Sequence, residues 1–308
     1  MTSSIIPGVY TPIVTFYKAD GFTIDYETQI AHAKYLKKSG ITGLVVLGST
    51  GENALLSGYE RHTIISRIRQ ALPDFPIIGG IAKNNLSEAI AEISAVKKAG
   101  ANIAMVLPSN YYGNDTSQEG LYDWYTEVAD NSALPLIIYV YPGVCNGLCI
   151  QPRIVRRLCS HKNIIGCKCS HGDVQQYTQI SLSPEVAANN FSFFSGQGQL
   201  LVPLLAINGK GVVDALSGAF PKTFVAIYNA LKAGDFETAK KYQYVAAEAE
   251  VLAVRAGFLG IKRAIRDNLG FGETIVGRKP MNHPQSEEVW ASEFQSCFDI
   301  IKKLEDTL

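Results

Sequence analysis

The chain has 308 residues, of which 47% are apolar, and its 28 basic side chains balance 28 acidic ones for a formal net charge of zero. This length is enough to bury a full hydrophobic core without disulfides or metals. The high apolar fraction and the zero net charge exclude an intrinsically disordered chain. They also argue against nucleic acid as a partner, because an electrostatic nucleic-acid binder needs a basic surface.

Eight apolar runs of strand length follow one another along residues 1–233, and segments of helical periodicity such as 25–39, 86–99 and 117–131 separate them. The predicted strands cover residues 9–15, 44–48, 77–81, 103–107, 136–141, 164–168, 191–195 and 211–215. Strands joined by such long crossovers cannot form hairpins, so they pair in parallel and bury both faces. Eight such units predict an α/β fold, a (β/α)8 TIM barrel over 1–233. The alternative is an open doubly wound sheet, but no Gly-x-Gly-x-x-Gly follows the first strand.

Residues 234–308 have helical periodicity throughout. The expected helices cover 236–256, 259–268 and 286–305. They predict a C-terminal helical subdomain appended to the barrel.

The N-terminus and the cysteines bear on the compartment. No basic residue precedes the short apolar stretch at the N-terminus, so neither a secretory signal nor a transit peptide is predicted. No apolar run approaches the roughly 20 residues of a membrane span, so no membrane association is expected. Six cysteines in a long chain of this kind favour reduced thiols and therefore the cytosol. The closest pairs, Cys145 with Cys149 and Cys167 with Cys169, lack the spacing of zinc ligands, so neither a metal nor another cofactor is predicted.

The second predicted strand runs into Gly48-Ser49-Thr50-Gly51-Glu52. Strand ends at this face of a barrel carry the active site. Two glycines around two hydroxyls let the backbone approach a ligand and offer N–H and O–H donors, which suits a carboxylate or a phosphate. The alternative is a simple strand-to-helix turn, since such turns are common.

The sixth predicted strand ends in Gly166-Cys167-Lys168. Because side chains alternate along a strand, Lys168 shares a face with Gly166. Burial in the barrel would remove water from the ammonium group and lower its pKa. A neutral amine can attack a carbonyl carbon and form a Schiff base. The alternative is a lysine whose charged end reaches solvent.

Tyrosines at neighbouring strand ends could supply proton transfer. Tyr139 lies on the fifth predicted strand, and Tyr111 and Tyr112 follow the fourth. A phenol near a lysine and a bound carbonyl can act as a general acid and base. The alternative for each of them is an ordinary core aromatic residue.

Several motifs occur in order along the chain. They are Gly8-Val9-Tyr10-Thr11-Pro12, the loop 48–52, Pro108 with Tyr111-Tyr112, Gln118-Glu119-Gly120-Leu121-Tyr122, Tyr139, the stretch 163–168 and Arg278-Lys279-Pro280-Met281. Over essentially the whole chain this set resembles the dihydrodipicolinate synthase/N-acetylneuraminate lyase family of Schiff-base pyruvate aldolases.

The resemblance implies roles for individual residues. Lys168 would form the Schiff base with pyruvate or another 2-keto acid. Ser49 and Thr50, in the loop that begins at Gly48, would hold its carboxylate. Tyr139 would be the general acid and base.

The family also implies an assembly. Its dimers insert a tyrosine into the neighbouring site, and here Tyr112 is favoured over Tyr111 for that position. The backbone of Val213 corresponds to a carbonyl that faces the substrate. A homotetramer, as a dimer of dimers, is expected from the family.

One departure from the family pattern bears on the substrate. Dihydrodipicolinate synthases have an arginine shortly after the strand-five tyrosine, whereas residues 140–147 here contain none. A bidentate guanidinium clamp for a second carboxylate has no substitute in Val, Cys or Asn. A hydroxyaldehyde such as glyceraldehyde suits the neutral or hydrogen-bonding groups nearby, which are Asn146, Ser217, His171 and Asp214.

The leading hypothesis is therefore a class I lyase that reversibly splits a 2-keto-3-deoxy sugar acid into pyruvate and a hydroxyaldehyde. The alternatives are a 4-hydroxy-2-oxoglutarate aldolase, dihydrodipicolinate synthase itself, and a barrel that binds a keto acid without turnover.

Overall fold

A computed structural model describes residues 5–308, in which eight parallel strands form a closed barrel. Strand β1 pairs with both β2 and β8, which closes the barrel and confirms the TIM-barrel prediction over the open sheet. The strands are β1 Gly8–Pro12, β2 Gly43–Val46, β3 Ile77–Ile81, β4 Ile103–Val106, β5 Leu136–Val140, β6 Ile164–Cys169, β7 Ser192–Ser195 and β8 Gly211–Val213.

The helices surround the barrel and continue beyond β8. They are α1 Tyr26–Lys38, α2 Gly58–Ala71, α3 Leu86–Ala99, α4 Gln118–Asp130, α5 Pro152–Leu158, α6 Val174–Ser181, α7 Pro184–Ala188, α8 Leu201–Ala206, α9 Pro221–Lys232, α10 Phe236–Ala249, α11 Val251–Val254, α12 Gly257–Leu269, α13 Glu287–Glu293 and α14 Gln295–Glu305. Within residues 5–308, none of these helices has the length and hydrophobicity needed to span a bilayer.

The strands are apolar because both of their faces are covered. Every residue of β3 and β5 is buried, with helices outside and packed side chains inside. Long crossovers therefore produce continuous apolar strands rather than alternating ones, as the sequence pattern indicates.

Several predicted strands run past the observed ends, and two of them do so for the same physical reason. The strand predicted to reach Gly48 ends at Val46, because Leu47 takes a φ of 67° and turns the backbone out of the sheet. The strand predicted over 9–15 ends at Pro12. In both cases the apolar pattern continues into a buried loop, so burial alone does not mark the end of pairing.

Two long helices predicted near the C-terminus are each broken. The helix expected over 236–256 divides into α10 and α11 at Glu250, and the one expected over 286–305 divides at Phe294, whose φ is −123°. Across the second break, Trp290 packs against both Phe294 and Phe298 in the core. Helix α10 packs on α9 and α14, while α12 packs on the loop that follows β2.

Candidate active site

The carboxyl ends of the strands open into a cavity of about 480 Å³. Its polar side chains come from residues in or just after β5 and β6, from residues just after β2, β7 and β8, and from Glu250 between α10 and α11. Helices α11 and α12 contribute apolar side chains. The polar or ionisable lining residues are Ser49, Thr50, Tyr139, Tyr141, Lys168, Ser170, Gln197, Asp214 and Glu250. The predicted residues Lys168, Tyr139, Ser49, Thr50 and Val213 therefore meet in one space.

Lys168 is buried at the end of β6, with 4% of its surface exposed. Burial lowers its pKa to about 7, and the nearby Asp214 carboxyl opposes part of that change. Near neutral pH a large fraction of the amine is therefore unprotonated. The burial of Lys168 excludes the alternative in which its charged end reaches solvent. The unprotonated amine at the cavity wall can act as a nucleophile.

Strand register places the phenol beside the amine. Tyr139 on β5 is the direct partner of Lys168 on β6, and the Nζ atom lies 4.3 Å from the Tyr139 ring centroid. Burial raises the pKa of Tyr139 to about 12, while the hydroxyls of Ser170 and Ser49 offset part of that rise. Tyr139 is therefore a neutral phenol that can donate or relay a proton next to Lys168.

A glycine after β7 makes room for the lysine. A Cβ atom on Gly196 would lie 2.7 Å from Cε of Lys168 and 1.8 Å from Oγ of Ser170. A side chain at position 196 would therefore displace both residues from the cavity.

The loop after β2 has a tightly held backbone. Leu47 adopts a left-handed conformation that is strained for a branched side chain, and Asn53 Nδ2 donates to the carbonyls of Leu47 and Gly80. A Cβ on Gly80 would lie 2.0 Å from the Leu47 carbonyl oxygen, so only glycine fits there. The loop directs Ser49 and Thr50 into the cavity, whereas Gly48 lines an adjoining cavity of about 300 Å³ that Ser49 also lines.

A buried ion pair ties this loop to a distant helix. Glu52 accepts a hydrogen bond from Nζ of Lys262 on α12 at 2.5 Å, and it also accepts from the Tyr17 hydroxyl and the Arg278 backbone N–H. Both charged side chains are almost completely buried. Burial lowers the pKa of Lys262, and the Glu52 carboxylate opposes that change.

We expect Lys262→Met to lower the free energy of unfolding by about 3–5 kcal/mol, because Glu52 keeps its buried charge and loses its counter-ion. Urea unfolding at neutral pH measures this change. The double variant Glu52→Gln/Lys262→Met should recover much of the loss, because no buried charge remains. Lys240→Met is the control, since its pair with Glu237 is exposed and should contribute about 1 kcal/mol or less. Equal losses in both lysine variants would contradict the buried-pair argument.

The two predicted tyrosines after β4 lie outside the cavity of their own chain. Tyr111 and Tyr112 are 71% and 69% exposed, and their rings pack edge to face with centroids 4.9 Å apart. Neither lines the two cavities described above. The structure thus leaves them on the surface next to the site, with no contact to Lys168 within one chain.

Asn146 and Ser217, which the sequence analysis expects to suit a hydroxyaldehyde, do not line the cavity. Asn146 donates to the carbonyls of Asn110 and Tyr111, and the buried Ser217 hydroxyl donates to the Asp214 carbonyl and contacts Thr11. Their polar atoms already serve the loops that they belong to.

His171 and Asp214 are the two ionisable groups that the sequence analysis expects to suit a hydroxyaldehyde. His171 packs against the Tyr177 ring and does not line the cavity. Asp214 does line the cavity, but each of its oxygens accepts a backbone N–H.

The sequence reasoning missed Ser170 and Gln197. The Ser170 hydroxyl is buried beside Tyr139 and has no well-aligned hydrogen-bond partner in the described part of the chain. Alternation along β6 could have found it, because Ser170 follows Lys168 by two residues and shares its face. Gln197 follows β7 in a loop, where no periodicity indicates which way a side chain points.

The charge of the cavity lining is distinctive. Lys168 is the one cationic side chain among the described residues that line either cavity. Beyond the hydroxyls of Ser49 and Thr50, the remaining donors are neutral, so nothing there provides a guanidinium clamp for a second carboxylate.

Comparison with known families gives a match along most of the chain. The model of the dihydrodipicolinate synthetase family matches residues 6–294.

Individual relatives match over nearly their full length. The chain is 34% identical to a protein of Emericella nidulans named as a probable mitochondrial 4-hydroxy-2-oxoglutarate aldolase, covering 98% of each chain. It is 30% identical to the L-threo-3-deoxy-hexylosonate aldolase of Aspergillus niger, covering 97% of each. Among solved structures, the chloride-inhibited dihydrodipicolinate synthase of Acinetobacter baumannii in complex with pyruvate is similar, with a TM-score of 0.86, 26% identity and coverage of 96% of this chain and 99% of that one.

Proposed function

Because the chain belongs to the dihydrodipicolinate synthetase family, whose members include lyases, we propose that it is a class I pyruvate aldolase with a sugar-acid substrate. The substrate in the cleavage direction is a 2-keto-3-deoxy sugar acid. The products are pyruvate and a hydroxyaldehyde such as glyceraldehyde. The observation that carries the proposal is the buried Lys168 amine, paired in register with the Tyr139 phenol.

The residues divide the chemistry among them. Ser49 and Thr50 hold the keto-acid carboxylate, and the neutral Nζ of Lys168 attacks the C2 carbonyl carbon. Tyr139 delivers a proton to the carbinolamine oxygen, which leaves as water and produces a protonated Schiff base. The C3–C4 bond then breaks, its electrons move toward the iminium nitrogen to form an enamine, and the C4 hydroxyl proton passes to Tyr139. Protonation of C3 and addition of water release pyruvate and restore the amine.

The lining favours a neutral aldehyde. Glyoxylate and aspartate semialdehyde both carry a carboxylate, and the cavity has no cationic side chain besides Lys168 among the described lining residues. Ser170 and Gln197 are neutral hydrogen-bonding groups that line the same cavity. Such groups recognise hydroxyls without requiring charge.

Borohydride trapping tests the mechanism directly. Incubation with pyruvate and borohydride should add the mass of a reduced pyruvate imine to Lys168 and to no other lysine. Absence of an adduct would refute the Schiff-base mechanism and support a barrel that binds a keto acid without turnover.

A panel of aldehydes ranks the substrates. Pyruvate with glyceraldehyde should form product faster than pyruvate with glyoxylate or with aspartate semialdehyde. The 4-hydroxy-2-oxoglutarate reaction is the second candidate, because the Emericella relative bears that name. Faster product formation with glyoxylate would establish it, and fast turnover of aspartate semialdehyde would establish dihydrodipicolinate synthase activity.

The pH dependence should follow the amine. With Lys168 at a pKa of about 7, its protonated form dominates at lower pH and cannot attack. We expect kcat/KM to fall about tenfold per pH unit well below pH 7 and to level off above it, since kcat/KM reports ionisations of the free enzyme. Initial rates at limiting keto acid measure the profile. A midpoint near pH 10 would contradict a buried amine.

Assembly and compartment are part of the proposal. We propose a homotetramer in which one of the exposed Tyr111–Tyr112 pair reaches a neighbouring chain. Sedimentation of the wild type and of Tyr112→Ala tests this assembly. A cytosolic location is proposed from the cysteine content, and cell fractionation decides between it and the mitochondrial location named for the Emericella relative.

A further inference from the structure

Two buried carboxyl groups line the cavity, and the proposed reaction does not use either of them. Asp214 directly follows β8, and Glu250 lies where α10 meets α11. Asp214 is completely buried and Glu250 is 4% exposed. A buried carboxyl is costly unless its charge is compensated, so this pair calls for a physical explanation.

Backbone donors hold the first carboxyl in place. Oδ1 of Asp214 accepts from the Gly198 N–H at 3.1 Å, and Oδ2 accepts from the Ser217 N–H at 3.0 Å. A Cβ on Gly198 would lie 2.9 Å from Cγ of Asp214, so the glycine permits this close approach. Two N–H donors favour the ionised form of Asp214.

The second carboxyl is adjacent to the first. Glu250 lines the same cavity as Asp214, and its buried Oε2 atom has no hydrogen-bond partner in the described residues. Two carboxyls can share a hydrogen bond only if one of them carries a proton. Burial raises the pKa of Glu250 well above its usual range, and the Asp214 charge raises it further. Burial also raises the pKa of Asp214, but the backbone N–H groups of Gly198 and Ser217 oppose part of that rise.

We propose that Asp214 and Glu250 share one proton and act together as a single negative counter-ion for the protonated Schiff base on Lys168. The inference rests on the proposed aldolase function. Asp214 and Glu250 are positioning residues in this account, since they act on the substrate only through Lys168.

The surroundings of Lys168 make this pair its main electrostatic partner. The other ionisable groups that face the lysine are the phenols of Tyr139 and Tyr141 at the end of β5, which are neutral because burial raises both pKa values. His171 in the loop after β6 does not line the cavity, and its pKa is lowered by burial. Asp214 is the charged group that acts on the pKa of Lys168.

A single negative charge suits both states of the lysine. The free amine must lose its proton to attack, and two charges nearby would hold that proton too firmly. The iminium formed later is permanently positive until hydrolysis, so one fixed anion stabilises it in a cavity from which water is largely excluded.

The pH dependence of imine formation tests the counter-ion. Rapid mixing with pyruvate, quenching with borohydride and mass analysis of Lys168 give the rate at each pH between about 5 and 9. Asp214→Asn should move the midpoint about half a pH unit or more to lower pH, because removing an anion lowers a lysine pKa. The same variant should lower kcat for cleavage about tenfold, because the iminium loses its counter-ion.

These two effects have opposite consequences at low pH, where imine formation becomes faster while cleavage becomes slower. A merely structural defect would slow both. Glu248→Gln is the matched control, because it neutralises an exposed carboxylate two residues from Glu250. An Asp214→Asn midpoint equal to that of this control, or higher than the wild-type midpoint, would overturn the proposal. Failure of the wild type itself to trap pyruvate would instead refute the aldolase function.

Infrared spectroscopy of the wild-type protein gives an answer that does not depend on how the Asp214 variant folds. A carbonyl band of a protonated carboxylic acid should be present at pH 7.5 to 8, above the ordinary range of carboxyl titration by about three units. Glu250→Gln should remove that band, which distinguishes Glu250 from Glu305, another buried carboxyl whose pKa is raised by burial. If no such band is present, or if it persists in Glu250→Gln, the pair does not share a proton.

Discussion

Replacing Lys168 by methionine is expected to lower kcat/KM for cleavage by a factor on the order of 10⁴ or more, because no Schiff base can form. Methionine is close to lysine in length and flexibility, so it should occupy the same space below Gly196. Steady-state assays measure the loss, and borohydride with pyruvate should add no mass to the variant. Lys162→Met is the control, since Lys162 is exposed in the loop just before β6.

The same substitution should stabilise the fold. The pKa of Lys168 falls from 10.5 to about 7 on burial, so the unfolded state binds the additional proton and folded stability rises with pH across that interval. Each pKa unit corresponds to about 1.4 kcal/mol, so the lysine destabilises the folded chain by several kcal/mol at neutral pH. Urea unfolding should show Lys168→Met as more stable than wild type at pH 7, with the difference shrinking toward pH 10. If Lys168→Met retains activity, the Schiff-base mechanism is wrong. If it is less stable than the wild type at pH 7, burial of Lys168 does not destabilise the fold.

Replacing Tyr139 by phenylalanine is expected to lower kcat by about 10²–10⁴, the usual contribution of a general acid and base. The ring stays beside Lys168, so only the hydroxyl is removed. KM for the keto acid should change little, because the carboxylate contacts proposed for Ser49 and Thr50 remain. Pyruvate should still be trapped on Lys168, although more slowly than in the wild type.

Comparing kcat with the rate of pyruvate trapping on Lys168 shows which step requires the Tyr139 hydroxyl. Tyr59→Phe is the control, because Tyr59 is exposed on α2 and also loses one phenol oxygen. If Tyr139→Phe keeps kcat within about twofold of this control, Tyr139 is not the proton carrier. If the variant instead fails to trap pyruvate at all, its hydroxyl is required for imine formation rather than for carbon–carbon cleavage.

The barrel, the family and the lyase activity are predicted from the sequence and confirmed. Strand periodicity finds Lys168 because a lone lysine at the end of an apolar strand is chemically unusual. Register then explains why Tyr139 lies beside it. The roles of these residues stay predictions, and the substitutions above are their tests.

The sequence could not show which polar groups near the site are already satisfied. Ser217 and Asn146 are polar residues near strand ends, like Ser49, yet their hydrogen bonds go to loops that meet only in the folded chain. Glu250 fits a helical pattern as a solvent-facing residue. It is instead buried in a cavity that Asp214, from a distant part of the chain, also lines. Sequence periodicity predicts which face of a helix or strand a side chain occupies. It does not predict which residue from a distant part of the chain that side chain contacts.

The ion pair between Glu52 and Lys262 also bears on synthesis at the ribosome. The two residues are 210 positions apart, and the carboxylate belongs to the loop that presents Ser49 and Thr50. A nascent chain that has just completed β8 already contains every strand, yet its Glu52 has no counter-ion. The loop can gain this ion pair only after α12 has left the exit tunnel. A polypeptide that ends before α12 therefore lacks the cation that pairs with Glu52 in the complete chain.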